Sequence, residues 1–387
     1  QLDFASFYYG AQIVFDEHRS PYDYALLSSA AKHELGEKPQ AYLYAPPSLF
    51  VFYPLIFFSY QNAAALMLTL NFALFLGIIF AVLKIGDFPP ISTWGMFLLV
   101  YMVSYFPVMA NLTTGQINLF ILLLICWSWY LLQRERPSFS VAIPLAIAVV
   151  TKLYPALFIL YLIAKRRWAV VLWTLALIIL LSAASYVLLP DGLWFDWMTK
   201  LLPTGGYGPG DAGMVSPADW ENQSIHGFVA RLFASGRYAK PICANLSLGG
   251  LVAYAASALL IVAYLALSYR AGHSASAAQV LDAEYALGLV TMVLVSPLSW
   301  TPHLVFVLPA AVIAMRIALT RGKRLAAVLV GLSALLLAWR MPFVSISRAL
   351  PPSLVPLGVS GQFFALICLW IYLATNVRRR SRVHQGD

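Results

Sequence analysis

The run QNAAALMLTLNFALFLGIIFAVL, residues 61–83, decides the fold. It has no charged side chain and outlasts the ~20 residues that a helix rising about 1.5 Å per residue needs to cross a bilayer core. Comparable apolar runs recur at 91–110, 115–133, 138–151, 153–164, 168–189, 247–269, 281–298, 302–319, 324–340 and 357–377. Strands of a transmembrane barrel would instead give short alternating segments. The expected fold class is therefore all-α, a polytopic transmembrane helical bundle of about eleven spans. Two runs, 138–151 and 153–164, are short, and are read as broken helices or a buried hairpin. Residues 47–59 follow Pro46-Pro47 and contain Pro54, which suits an interfacial or partly inserted helix.

Composition agrees. Of 387 residues, 61% are hydrophobic and only 11% charged, against about 45–50% and roughly 25% in soluble domains. That excludes a soluble enzyme and a disordered chain. Cys126, Cys243 and Cys368 have no paired spacing, so neither a metal knuckle nor a disulfide framework is expected. The net charge of +9 reads as basic cytoplasmic loops rather than as a nucleic-acid surface.

The few charges sort by side. Lys84, Arg134, Arg136, Lys165 to Arg167, Arg270, Arg316, Arg321, Arg324 and Arg378 to Arg382 fall in alternating loops or helix ends. The positive-inside rule assigns them to the cytoplasm. Asp3, Asp16, Glu34, Asp196, Asp219 and Glu221 gather on the other side. The expected organisation is an extracytoplasmic segment 1–60, transmembrane helices over 61–189, a long extracytoplasmic loop 190–246, transmembrane helices over 247–377 and a cytoplasmic basic tail 378–387. An outside start without an export signal leads to the expectation of one further span just before Asp3.

Several polar residues interrupt this apolar background. Asp3 precedes the aromatic run Phe7-Tyr8-Tyr9. A carboxylate there serves either as a general base for a hydroxyl or as a helix N-cap. Lys152, in Thr151-Lys152-Leu153-Tyr154-Pro155, lies between two apolar segments. It either neutralises a phosphate or snorkels to headgroups. Gln116 and Asn118 open a helix after Gly115, to bind sugar hydroxyls or to pair neighbouring helices. Trp300 and His303 join two spans in Ser296-Pro297-Leu298-Ser299-Trp300-Thr301-Pro302-His303. They suit phosphate binding, or an interface belt and packing. Asn222 and Arg231 in the long loop suit a glycan and a phosphate, or a solvated loop face. Nucleotide-binding glycine loops and the His-Glu-x-x-His zinc pattern are absent from the sequence. An enzyme facing outward without them would use a lipid-phosphate donor.

These residues, with Pro21-Tyr22 and Tyr44-Ala45-Pro46-Pro47, form an ordered set over nearly the whole chain. The set resembles the polyprenyl-phosphate-sugar-dependent glycosyltransferases of family 87, of GT-C architecture, and among them the mycobacterial α-1,2-mannosyltransferases. The resemblance implies an inverting enzyme in a bacterial plasma membrane, with its active site on the extracytoplasmic face. It implies that Asp3 is the catalytic base, taking a proton from the hydroxyl of a glycolipid or cell-envelope glycan acceptor. The donor would be a polyprenyl-phosphate-linked sugar, with no metal and no further cofactor. Tyr8, Tyr44, Gln116, Asn118, Lys152, Tyr154, Asn222, Arg231, Trp300 and His303 are the candidate substrate contacts. The family often carries two histidines where this chain has Pro302-His303. An arabinosyl or other pentosyl transferase, and a lipid-linked sugar flippase, are the competing readings.

Overall fold

The computed structural model describes residues 2–86, 92–204, 213–234, 241, 243–270, 278–322 and 324–383. Parts of the 190–246 loop and the end of the 378–387 tail lie outside the described residues. Among those described, every regular element is a helix or a helical turn.

Residues 61–83 fall inside the helix Tyr60–Ile85. It packs on Asn118–Gln133, which packs on Ser138–Thr151, which in turn packs on Trp168–Leu188. The second half surrounds Ala278–Val295, which touches Leu246–Arg270, Leu308–Thr320 and Gly361–Val383. The short helix Leu157–Ala164 joins the halves by packing on both Leu246–Arg270 and Ala278–Val295. Outward faces are apolar: Phe72, Leu76 and Phe80 on one helix and Leu251, Leu259 and Val262 on another are exposed. Such contiguous apolar surface suits lipid rather than water.

By length and apolarity five described helices can cross a membrane. A sixth is reached if Arg324–Ala338 and Phe343–Ala349, bent by 107°, form one span. The other segments counted toward about eleven fold as shorter or more polar helices. Asn118–Gln133 has 16 residues and Ser138–Thr151 has 14, which reach only about 21–24 Å. Ala278–Val295 carries Asp282 and Glu284. The 91–110 run is among the five: it continues as Thr93–Thr114, with an interruption at Ser104-Tyr105 between Thr93–Val103 and Phe106–Thr114. Residues 46–57 are three short helical turns broken by Pro47 and Pro54.

The bundle has two distinct polar ends. At one, Lys165 Nζ meets Glu284 Oε1 at 2.9 Å, Tyr161 donates to Glu284 Oε2 at 2.7 Å, and Arg316 meets Asp282 at 3.5 Å. Gln133 also donates to Asp282. At the other end stand Asn118, Lys152 and Trp300 to His303. The two groups occupy opposite ends of the same elements: Asn118 begins the helix that Gln133 finishes, and Lys152 precedes the segment that ends at Lys165.

Candidate active site

Asp3 sits in the first turn of the helix Leu2–Phe15. Its carboxylate Oδ2 accepts from Gln116 Nε2 at 2.9 Å, and Gln116 Oε1 accepts from the Tyr44 hydroxyl at 3.2 Å. The residue is 8% exposed. Its side chain thus turns toward another segment of the chain, away from the N-cap role. Burial pushes the Asp3 carboxyl above its ordinary value, opposed by hydrogen bonds from Gln116 and Thr114.

Gln116 is held on the turn between Phe106–Thr114 and Asn118–Gln133. Gly115 ends the first of these helices at φ 71°, a left-handed cap that glycine adopts without strain. Asn71 Nδ2 fixes the turn by donating to the Gln116 carbonyl at 3.1 Å. The two ends of the Gln116 side-chain amide are thereby aimed, the nitrogen at Asp3 and the oxygen at Tyr44.

Lys152 occupies the break between Ser138–Thr151 and the turn Tyr154–Ala156. Its backbone is extended, at φ −151° and ψ 128°. Pro155 cannot continue a helical hydrogen-bond ladder, which keeps the break open. Lys152 Nζ donates to Asn118 Oδ1 at 2.7 Å and lies 3.0 Å from His303 Nε2. It also stands 5.2 Å from the Tyr44 ring centre and 5.0 Å from that of Tyr154.

His303 lies in the 3-10 turn Thr301–Val307. Its Nδ1 accepts the Trp300 backbone N–H at 3.1 Å, and the His303 backbone N–H donates to the Trp300 carbonyl at 2.8 Å. Asn111 Nδ2 donates to the Pro302 carbonyl at 2.7 Å, and the Tyr105 hydroxyl donates to the Leu304 carbonyl at 2.9 Å. The turn is pinned on both sides of the imidazole.

Asp3, Tyr44, Gln116, Lys152, Tyr154, Trp300 and His303 line one cavity of about 350 Å³. The other expected contacts are placed differently. Asn118 is fully buried and supports Lys152 from behind. Tyr8 is a correction: its hydroxyl donates to the Phe58 carbonyl at 2.8 Å, and its ring packs against Phe4, Tyr9 and Tyr60 rather than on the cavity. Asn222 is likewise scaffold. Its Nδ2 donates to the Pro297 carbonyl at 2.9 Å and its Oδ1 accepts from Ser299 N–H at 3.0 Å, shaping the loop that carries Trp300. Arg231 donates to the carbonyls of Asp219 and Asn222 at 2.7 and 2.8 Å and to Ser360 Oγ at 2.9 Å. Each of the last two satisfies backbone groups of the loop, so neither reaches the cavity. Gln40, Trp197, Leu201 and Tyr254 do line it. Nothing in their local sequence separates them from ordinary loop and membrane-facing residues.

The chain is a helical bundle with membrane-length apolar helices, and one cavity in it is lined by a buried carboxylate and a lysine–histidine pair. The chain belongs to glycosyltransferase family 87, whose profile matches residues 42–297. That range includes Tyr44, Gln116, Lys152 and Tyr154, and leaves Asp3 and His303 outside. The chain is also similar to the polyprenol-phosphate-mannose-dependent alpha-(1-2)-phosphatidylinositol pentamannoside mannosyltransferase of Mycobacterium tuberculosis, with 27% identity over 209 residues. The alignment covers 52% of this chain and 41% of that relative. No solved structure matches the chain.

Proposed function

We propose that this protein is an inverting glycosyltransferase of the bacterial plasma membrane that moves a hexose, mannose, from a polyprenyl-phosphate donor to a lipid-linked or cell-envelope glycan acceptor. The observation that carries this reading is the sharing of one cavity by a buried base, Asp3, and two nitrogen groups suited to an anion, Lys152 and His303. In the proposed step the acceptor hydroxyl gives its proton to the Asp3 carboxylate as its oxygen attacks the anomeric carbon. The bond from that carbon to the phosphate oxygen breaks, and the phosphate leaves with one more negative charge. Lys152 and His303 meet that charge, in a site where apolar Phe7, Leu43, Trp197 and Leu201 limit water. The resident side chains supply the base and the anion contacts, so the reading requires no metal or nucleotide.

The extracytoplasmic placement of the site is part of the proposal. It is supported by the opposite end of the bundle, where Lys165 and Arg316 are clustered near the basic loops. The name of the mycobacterial relative supports mannose as the sugar and a lipid phosphate as its carrier. The test is transfer from radiolabelled polyprenyl phosphomannose to lipid acceptors by the purified protein. Product from a nucleotide sugar but none from the lipid donor would sink the donor assignment.

A pH profile follows from the burial of Asp3. The base works ionised, so the rate rises with pH through its pKa. Because that pKa is raised, the acid limb of kcat/KM is expected above the ordinary carboxylate range. Gln116 hydrogen-bonds the charged form, so Gln116→Leu is expected to move the limb up by about one further pH unit. A limb that stays in place in this variant would show that Gln116 does not tune the base.

A further inference from the structure

The hydrogen bonds around Lys152 determine where protons sit in the empty site. His303 Nδ1 accepts the Trp300 N–H. A neutral imidazole has one N–H and one acceptor nitrogen, so its proton is on Nε2; an imidazolium would have no acceptor left for Trp300. Nε2 lies 3.0 Å from Lys152 Nζ. An ammonium has three donors and no lone pair, so a charged lysine here would set donor against donor.

A neutral amine removes the conflict. Its lone pair accepts the His303 Nε2–H. One of its hydrogens goes to Asn118 Oδ1 at 2.7 Å, and the other faces the rings of Tyr44 and Tyr154. The groups that act on Lys152 are these four and the Asp3 carboxylate, whose negative charge reaches it across the cavity. A neutral amine also avoids the cost of a buried cation.

We propose that Lys152 is uncharged in the empty site and takes one proton from solvent when a phosphodiester donor binds, so that donor binding is coupled to proton uptake. The inference rests on the lipid-phosphate donor reading given above. On binding, the Nζ lone pair combines with a solvent proton to give an ammonium, and no bond in the donor breaks. The ammonium and the His303 Nε2–H then both donate to phosphate oxygens. The positive charge thus arrives together with the anion that needs it, and a lipid without a phosphate leaves the amine neutral.

The experiment is isothermal titration of the full chain, in lipid nanodiscs, with a short-chain polyprenyl phosphomannose. It is run near about pH 8 in two buffers of different ionisation enthalpy. A phosphodiester has no proton to exchange in this range, so any uptake belongs to the protein. The expected result is uptake of about one proton per donor, with Kd rising toward about tenfold per pH unit on the alkaline side. In His303→Gln the amide oxygen can accept from an ammonium, so Lys152 stays charged; donor binding should weaken with the loss of the imidazole contact but stay measurable, and the uptake should vanish. Asp3→Asn should keep the uptake. Donor binding with equal heats in both buffers overturns the coupling alone. Loss of the uptake in Asp3→Asn overturns it too, by moving the proton to the carboxylate. No binding of the phosphomannose at all overturns the donor reading itself.

Discussion

Asp3→Asn is expected to lower mannosyl transfer from polyprenyl phosphomannose by about 10³-fold, within the 10²–10⁴ that a positioned general base contributes. The substitution is nearly isosteric. The asparagine Oδ1 can still accept from Gln116 Nε2, which now donates to the carboxylate at 2.9 Å. Helix, cavity and donor contacts should therefore persist, and only the proton acceptor is lost. Initial rates with radiolabelled donor measure the effect, and the melting temperature in detergent checks the fold. A variant that keeps its rate to within tenfold, in a folded protein, would remove Asp3 from the mechanism.

The second large effect is expected at Lys152. Lys152→Met keeps an unbranched apolar stem between Tyr44 and Tyr154 but removes the cation facing the phosphate. Loss of one such charge-stabilising contact costs roughly 10²–10³ in kcat. It also leaves the buried Asn118 Oδ1 without its lysine donor, at about 1–3 kcal/mol of stability. The two consequences separate in the double variant Lys152→Met, Asn118→Leu. Its melting temperature should recover toward that of the parent protein while transfer stays low. If transfer recovers along with stability, Lys152 is a structural residue and the leaving phosphate is met elsewhere.

The helical membrane class was legible at the level of composition and run length. The stretch 61–83 needed no tertiary information, because a run of uncharged residues that long has few stable places outside lipid. The number of full spans was less legible. Hydropathy does not register that Pro155 breaks 138–164 into two short pieces, or that 324–349 folds back through 107°. Both are consequences of backbone geometry at a break.

The site was legible in part. Lys152 stood out because a cation among apolar residues is costly, and Gln116 because an amide opens a membrane-facing helix. Tyr8, Asn222 and Arg231 carry the same kinds of side chain as true cavity residues, and local sequence holds no record of which way they point. Arg231 shows why: its guanidinium satisfies loop carbonyls that come from Asp219 and Asn222, groups whose position exists only after the loop has folded.

By itself, the sequence determined that this protein is a bundle of membrane helices with a small set of polar residues too expensive to be incidental. Apolar run length and charge depletion are local quantities, readable one segment at a time. Only the tertiary structure decided that Asp3, Gln116, Lys152 and His303 share one cavity, since their positions are separated by up to 300 positions in the chain. It also decided the pairing of Lys152 with His303. Hydrogen bonds of about 3 Å depend on the packing of three separate breaks against one another, and no local pattern encodes that.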